Sequence, residues 1–122
     1  MNHVQNIAQE LNQFIGSQTF TRWSVLSQSV LTEGTQYLAE TGNCYWLFDA
    51  IQSHVSELGE DMVQSVLTVQ DDSTAVLELD DMNDNIIASQ VISYTDFPLS
   101  IIKIWSVRNE TGAFTHMLPR EY

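Results

Sequence analysis

A polar run at residues 80–85, Asp-Asp-Met-Asn-Asp-Asn, has the residue types of a calcium-binding loop. If Asp81 is its first position, carboxylate or amide oxygens also fall at the third and fifth. The rest of the loop template fails, because Ile86 stands where a glycine must turn the chain and Ile92 where a glutamate must close the shell. The sequence therefore excludes an EF-hand. It predicts a polar turn with no metal, and a looser divalent-cation site is the alternative.

Two further sets of residues have types that could do acid–base or nucleophilic chemistry. Cys44 lies near the start of a predicted helix, where the helix dipole favours a thiolate, but nothing places His3, His54 or His116 beside it. We expect Cys44 to be a small buried hydrophobe. Asp49 and Asp96 would form a carboxylate pair suited to a small hydrolase only if their two segments meet.

Negative charge is concentrated in the middle of the chain. The net charge is −12, no lysine or arginine occurs between Arg22 and Lys103, and 13 of the 16 carboxylates lie there. Such a field repels nucleic acid and anionic membranes and attracts basic protein surfaces. Solubility alone is the competing explanation.

The first functional interpretation is that the protein is an interaction or inhibitory module that binds a basic protein surface. In the most specific version of this hypothesis, its carboxylates imitate the phosphate charge of nucleic acid. The carboxylates expected to contact the partner lie close together in sequence and are expected to line one edge of a sheet: Asp71, Asp72, Glu78, Asp80, Asp81 and Asp84. Two alternatives remain open, an enzyme that uses Asp49 and Asp96 and a structural homo-oligomer joined through an exposed sheet edge. No cofactor is expected.

Length and composition predict one cytoplasmic domain over residues 1–122. A chain of 122 residues with 43% hydrophobic residues can bury one core. Its single cysteine allows no internal disulfide, and the N-terminus lacks the basic start and apolar run of a secretory signal. The longest unbroken apolar run, at 44–48, is too short to cross a membrane.

Hydrophobic periodicity changes near Met62, which predicts an α+β fold with a helical part over about 1–60 and a sheet over about 61–120. Helices are expected at 3–15, 33–41 and 44–57, with Thr32 as an N-cap and Gly42 in a left-handed conformation. Strands are expected at 63–70, 74–80, 86–94, 100–108 and 113–118, joined as a single antiparallel meander of four or five strands with the helices on one face. No period fits residues 17–31. The expected core includes Trp46, Leu47, Ile51, Leu77, Leu79, Ile102 and Ile104.

Three short strings together carry a family resemblance: YWLFDAI at 45–51, YTDFPL at 94–99 and the terminal LPREY. They resemble a family of small bacterial and mobile-element proteins that is classed only as a domain of unknown function. The likeness runs from about residue 20 to the C-terminus. It implies a shared fold and an origin in bacteria or phage, and it supplies no catalytic residue.

Overall fold

The computed structural model of the protein describes residues 3–16, 19–24 and 27–122. Its elements, in chain order, are α1 (His3–Leu11), β1 (Val30–Leu31), α2 (Glu33–Thr41), α3 (Tyr45–Leu58), β2 (Met62–Val69), β3 (Ala75–Asp80), β4 (Ile86–Ile92), β5 (Ile101–Arg108), β6 (Phe114–Met117) and a short 3-10 helix (Pro119–Glu121). The predicted α+β class is confirmed. In the described part of the chain, no helix is long and apolar enough to cross a membrane.

The sheet differs from the prediction in strand number and in pairing. It has six strands in the order β1-β6-β5-β2-β3-β4, and β1 pairs with β6 in parallel while the other pairs are antiparallel. The predicted antiparallel sheet of four or five strands is therefore wrong. The extra strand comes from the segment without a clear period, and its two residues pair with Thr115 and His116. The meander is also wrong, because β5 returns to pair with β2.

One face of the sheet is buried by alternate strand residues that pack with the helices. The buried strand positions are Val63, Ser65 and Leu67 on β2, Ala75, Leu77 and Leu79 on β3, Ile104 and Ser106 on β5, and Phe114 and His116 on β6. The helix α3 contributes Leu47, Phe48, Ile51 and Val55 to the same core. Of the predicted core residues, Trp46 and Ile102 are partly buried and pack against this cluster, whereas the other five are fully buried within it.

The helix ends show where local sequence signals hold. Thr32 caps α2, as predicted, because its side chain accepts a hydrogen bond from the Thr35 amide. Gly42 is right-handed and Asn43 takes the left-handed conformation instead, with φ of 51°. Asn tolerates that region better than most residues. Glycine is required at 42 for a steric reason instead, because a Cβ there would lie 2.8 Å from the Leu38 carbonyl oxygen. The helix α1 ends four residues before the predicted position, at Leu11.

The segment 93–100 carries the chain from β4 across the ends of β3 and β2. The Thr95 amide donates to the Ser73 carbonyl, and the Val69 amide donates to the Ser100 carbonyl. Phe97 is buried in the core, and its amide donates to Thr95 Oγ1. The string YTDFPL therefore has a structural role, since it covers the core in the connection between β4 and β5.

Candidate interaction surface

The six predicted contact carboxylates lie on β3 and on the turns at its two ends. Glu78 and Asp80 are on the sheet face opposite the helices, Asp81 and Asp84 follow β3, and Asp71 and Asp72 precede it. A six-residue strand is about 20 Å long, so the two turns are well separated. In addition, β3 is an internal strand, and β4 forms the edge of the sheet outside it. The expectation that all six carboxylates line one edge of the sheet is wrong for both reasons.

The turn at 81–85 is built around the Asp81 carboxylate. Asp81 accepts hydrogen bonds from the backbone amides of Asn83 and Asn85 and from the Asn85 side chain, at 2.9, 3.3 and 2.9 Å. These hydrogen bonds lower the pKa of Asp81, and the bond from the Asn85 side chain has the largest effect. The predicted polar turn is confirmed. Among the described residues, no group of three or more His, Cys, Asp or Glu side chains is placed to hold a metal ion.

The turn before β3 repeats this arrangement. Asp72 accepts from Thr74 Oγ1 at 2.6 Å and from the Thr74 amide at 3.1 Å, and these bonds lower its pKa. Asp72 and Asp81 therefore remain ionised well below neutral pH. Both ends of β3 carry fixed negative charge.

The carboxylates of this surface have no cationic partner. Within 3–16, 19–24 and 27–122, none of the six forms an ion pair, whereas Asp61 pairs with Arg108 at 2.9 Å. On the open sheet face, Lys103 is separated from Glu78 by Val66, which lies opposite both. No described lysine or arginine therefore neutralises this charge.

The strand β4 forms the long outer edge of the sheet beside these carboxylates, and no strand of the described part of the chain pairs with its outer side. It has the sequence Ile-Ile-Ala-Ser-Gln-Val-Ile, without a charged residue or a proline. Natural proteins place such residues on edge strands to prevent pairing with strands of other molecules. Ala88, Gln90 and Ile92 pair with the β3 positions that face β4, so the backbone N–H and C=O of Ser89 and Val91 point outward. The Val91 side chain is 75% exposed.

The two aspartates of the enzyme hypothesis have separate environments. Asp49 is exposed on α3 and accepts a 2.9 Å hydrogen bond from Trp23 Nε1. It borders a shallow cleft with Tyr45 and Glu40. Asp96 is exposed in the segment between β4 and β5. The hydrolase hypothesis receives no support from these contacts, and it stays a prediction.

Cys44 and His54 both contact residues that give them a structural role. Cys44 is fully buried, and burial raises the pKa of its thiol to about 12, which opposes a thiolate. His54 is half-buried and its Nε2 contacts Gln90 Oε1 at 2.8 Å. His3 lies in α1.

His116 has a role that the sequence analysis missed. It is fully buried, with Nδ1 2.7 Å from Ser106 Oγ and Nε2 2.8 Å from Gln52 Oε1. Its neighbours at two-residue spacing, Phe114 and Leu118, are both apolar. That period of two was the available sign that the histidine faces the core.

Comparison with known proteins finds a family model that matches residues 5–122, and it describes a family of unknown function (DUF6876). The chain belongs to this family. The three strings that carried the resemblance all lie in the matched range. No curated protein and no solved structure matches this DUF6876 member.

Proposed function

We propose that this protein is an interaction module that binds a basic, extended segment of another protein by adding it as a strand at the edge of β4. The observation that carries the proposal is the uncharged free edge of β4 with ionised aspartates near both of its ends. Strand addition gives affinity through main-chain hydrogen bonds, and flanking charge adds specificity and speed.

The charge near the two ends of β4 comes from different turns. Asp81 and Asp84 lie in the turn that leads into β4. At the other end, the Thr95 amide bonds to Ser73, which brings the segment after β4 next to the turn that holds Asp71 and Asp72. A segment with lysine or arginine at both ends of an apolar stretch matches this pattern.

The arrangement favours a basic peptide over the other forms of the hypothesis. A mimic of nucleic acid needs carboxylates at the regular close spacing of phosphates, about 1.7 Å of axis per charge in duplex DNA. Here the carboxylates form two separated groups with Glu78 and Asp80 between them. A homodimer through β4 is opposed by the net charge of −12 on each copy.

The binding test uses a fluorescently labelled peptide with two lysines at each end of a stretch of alternating valine and threonine, and its control is the same peptide with glutamate in place of each lysine. Fluorescence anisotropy should show binding of the lysine peptide only. Its affinity should fall at least about tenfold when salt rises from about 0.05 M to about 0.5 M, because exposed charges are screened. Asp81→Asn with Asp84→Asn should slow association.

Ser89→Pro tests the strand edge itself. The Ser89 amide points outward, so proline removes a donor that β3 does not use, and we expect at least about tenfold weaker peptide binding with little loss of stability. Ser89→Thr keeps the amide and is the matched control. Equal binding by both variants would contradict strand addition. A dimer in light scattering that only Ser89→Pro dissociates would favour the homo-oligomer instead.

A further inference from the structure

A second stretch of strand edge is open at the first half of β5. The strand β6 pairs with β5 only from Trp105 to Arg108, after which the chain turns away into the 3-10 helix Pro119–Glu121. Over residues 101–104, β5 has β2 on one side, and no described strand lies on the other.

The direction of the free backbone groups follows from the pairing with β2. The Ser100 carbonyl accepts from Val69 and the Arg108 amide donates to Asp61, so even-numbered residues of β5 face β2. In an antiparallel strand, successive residues direct their N–H and C=O groups to opposite sides. Ile101 and Lys103 therefore direct theirs to the open side.

This open edge faces an apolar cleft of about 520 Å³, which is within the range of ligand sites. Its walls are α1, the start of β5 and the 3-10 helix. The apolar lining includes Ala8, Leu11, Leu99, Leu118 and Pro119.

The cleft also has the opposite charge from the rest of the molecule. Lys103 and Arg120, two of the four lysine and arginine residues in the chain, both line it. Arg120 Nη1 donates to the Asn12 carbonyl at the end of α1, which holds the guanidinium at the cleft wall. An apolar occupant with negative charge is complementary to this lining.

We propose that this cleft binds an apolar, negatively charged peptide segment, which adds as a short strand to residues 101–104 of β5. A peptide fits better than an aliphatic acid for a physical reason. An aliphatic chain would desolvate the free backbone groups of Ile101 and Lys103 without bonding them, whereas a strand would satisfy them. The cleft lies at a different strand edge from β4, and its expected ligand is acidic where that of β4 is basic. Either interaction can therefore be absent while the other is present.

The first experiment selects binders from a phage-displayed library of random heptapeptides. The protein should enrich peptides that alternate apolar residues and carry a carboxylate, and the Ala8→Trp variant, whose indole fills the cleft, should not. Ala8 is exposed, and circular dichroism checks that the variant is folded. Enrichment that is absent, or equal for the two proteins, would overturn the proposal.

The second experiment reads out the strand edge in the full chain by NMR with the best selected peptide. The amides of Ile101 and Lys103 should exchange at least about tenfold more slowly when the peptide is bound, while those of Ile102 and Ile104, which face β2, should not change. Methylation of alternate peptide nitrogens should abolish binding in one register only. Insensitivity to methylation in both registers, or displacement of the peptide by equimolar decanoate, would overturn strand addition.

Lys103→Gln tests the charge of the cleft separately, because Lys103 is exposed and its substitution leaves the core intact. Binding should weaken by about fivefold, as for one exposed ion pair. The same peptide with its carboxylate replaced by an amide should bind wild-type and variant proteins equally. A peptide affinity that neither change alters would refute the charge complementarity.

Discussion

The free energy of unfolding is expected to fall by about 1.4 kcal/mol for each pH unit below about 6.5 through His116 alone. Burial lowers the pKa of His116 from 6.5 to about 3. Below pH 6.5, the unfolded chain takes up a proton that the folded chain excludes. The stabilisation from neutral His116 is therefore complete above that pH and is lost progressively as pH falls towards 3.

The surroundings of His116 explain why the folded protein excludes the proton. The ring packs against Trp23, Phe48 and Phe114, with centroids 5.4 to 6.4 Å apart. Among the described residues, no carboxylate bonds to the ring, because its two nitrogens contact the neutral side chains of Ser106 and Gln52. A charged imidazolium would be desolvated here with no negative group beside it to offset the loss of hydration.

Urea unfolding of the wild type and of His116→Gln between about pH 4 and pH 7 measures this effect. The carboxylates contribute equally to both proteins, so the difference between the two curves isolates His116. We expect the variant to be less stable at neutral pH by about 2 to 4 kcal/mol and the gap to narrow as the pH falls. Two parallel curves would contradict the prediction.

Replacing Glu121 by alanine is expected to lower the free energy of unfolding by about 2 to 3 kcal/mol. Its Oε1 accepts from Thr32 Oγ1 at 2.6 Å and from the Leu118 amide at 2.9 Å, and its Oε2 accepts from the Gly34 amide at 3.1 Å. The side-chain carboxylate of Glu121 therefore bonds to the first turn of α2, where the helix dipole also favours negative charge.

Urea unfolding at neutral pH measures the loss, with Glu110→Ala in the exposed β5–β6 turn as the matched control. The control should change stability by less than about 0.5 kcal/mol. Gly34→Ala tests the same contact from the helix, because a Cβ there would lie 2.7 Å from Leu118 Cδ1 and 2.8 Å from Glu121 Oε1. We expect it to destabilise the fold as well. A wild-type midpoint for Glu121→Ala would refute this role.

Local patterns were sufficient for most of the secondary structure. The five strands from Met62 onward were predicted to within two residues, because β-branched runs alternate there with Asp and Asn turns. The strand β1 was missed because two residues cannot display a period and their pairing depends on β6, more than 80 residues later. The early end of α1 was missed because apolar Phe14 continues the helical pattern, although it packs on Tyr37 from outside the helix.

The turns that hold the aspartates could be predicted from the sequence, but the arrangement of the candidate surface could not. The aspartates were recognised as turn formers, and their bonds to Asn85 and Thr74 agree with that reading. Which strand lies at the edge depends on where β5 pairs, and β5 is carried away from β4 by the segment 93–100. Phe97, in that segment, is buried in the core, and no local period encodes such a long-range contact.

The parallel pairing of β1 with β6 also sets the order in which the molecule can fold during synthesis. Val30 and Leu31 emerge from the ribosome long before Thr115 and His116, so β1 must wait for most of the chain. The same delay applies to the start of α2, because the bond from the Gly34 amide cannot form before Glu121 has been synthesised. Contacts of such large sequence separation slow folding, so the helical half should remain loosely packed on the ribosome until the final strand has been released.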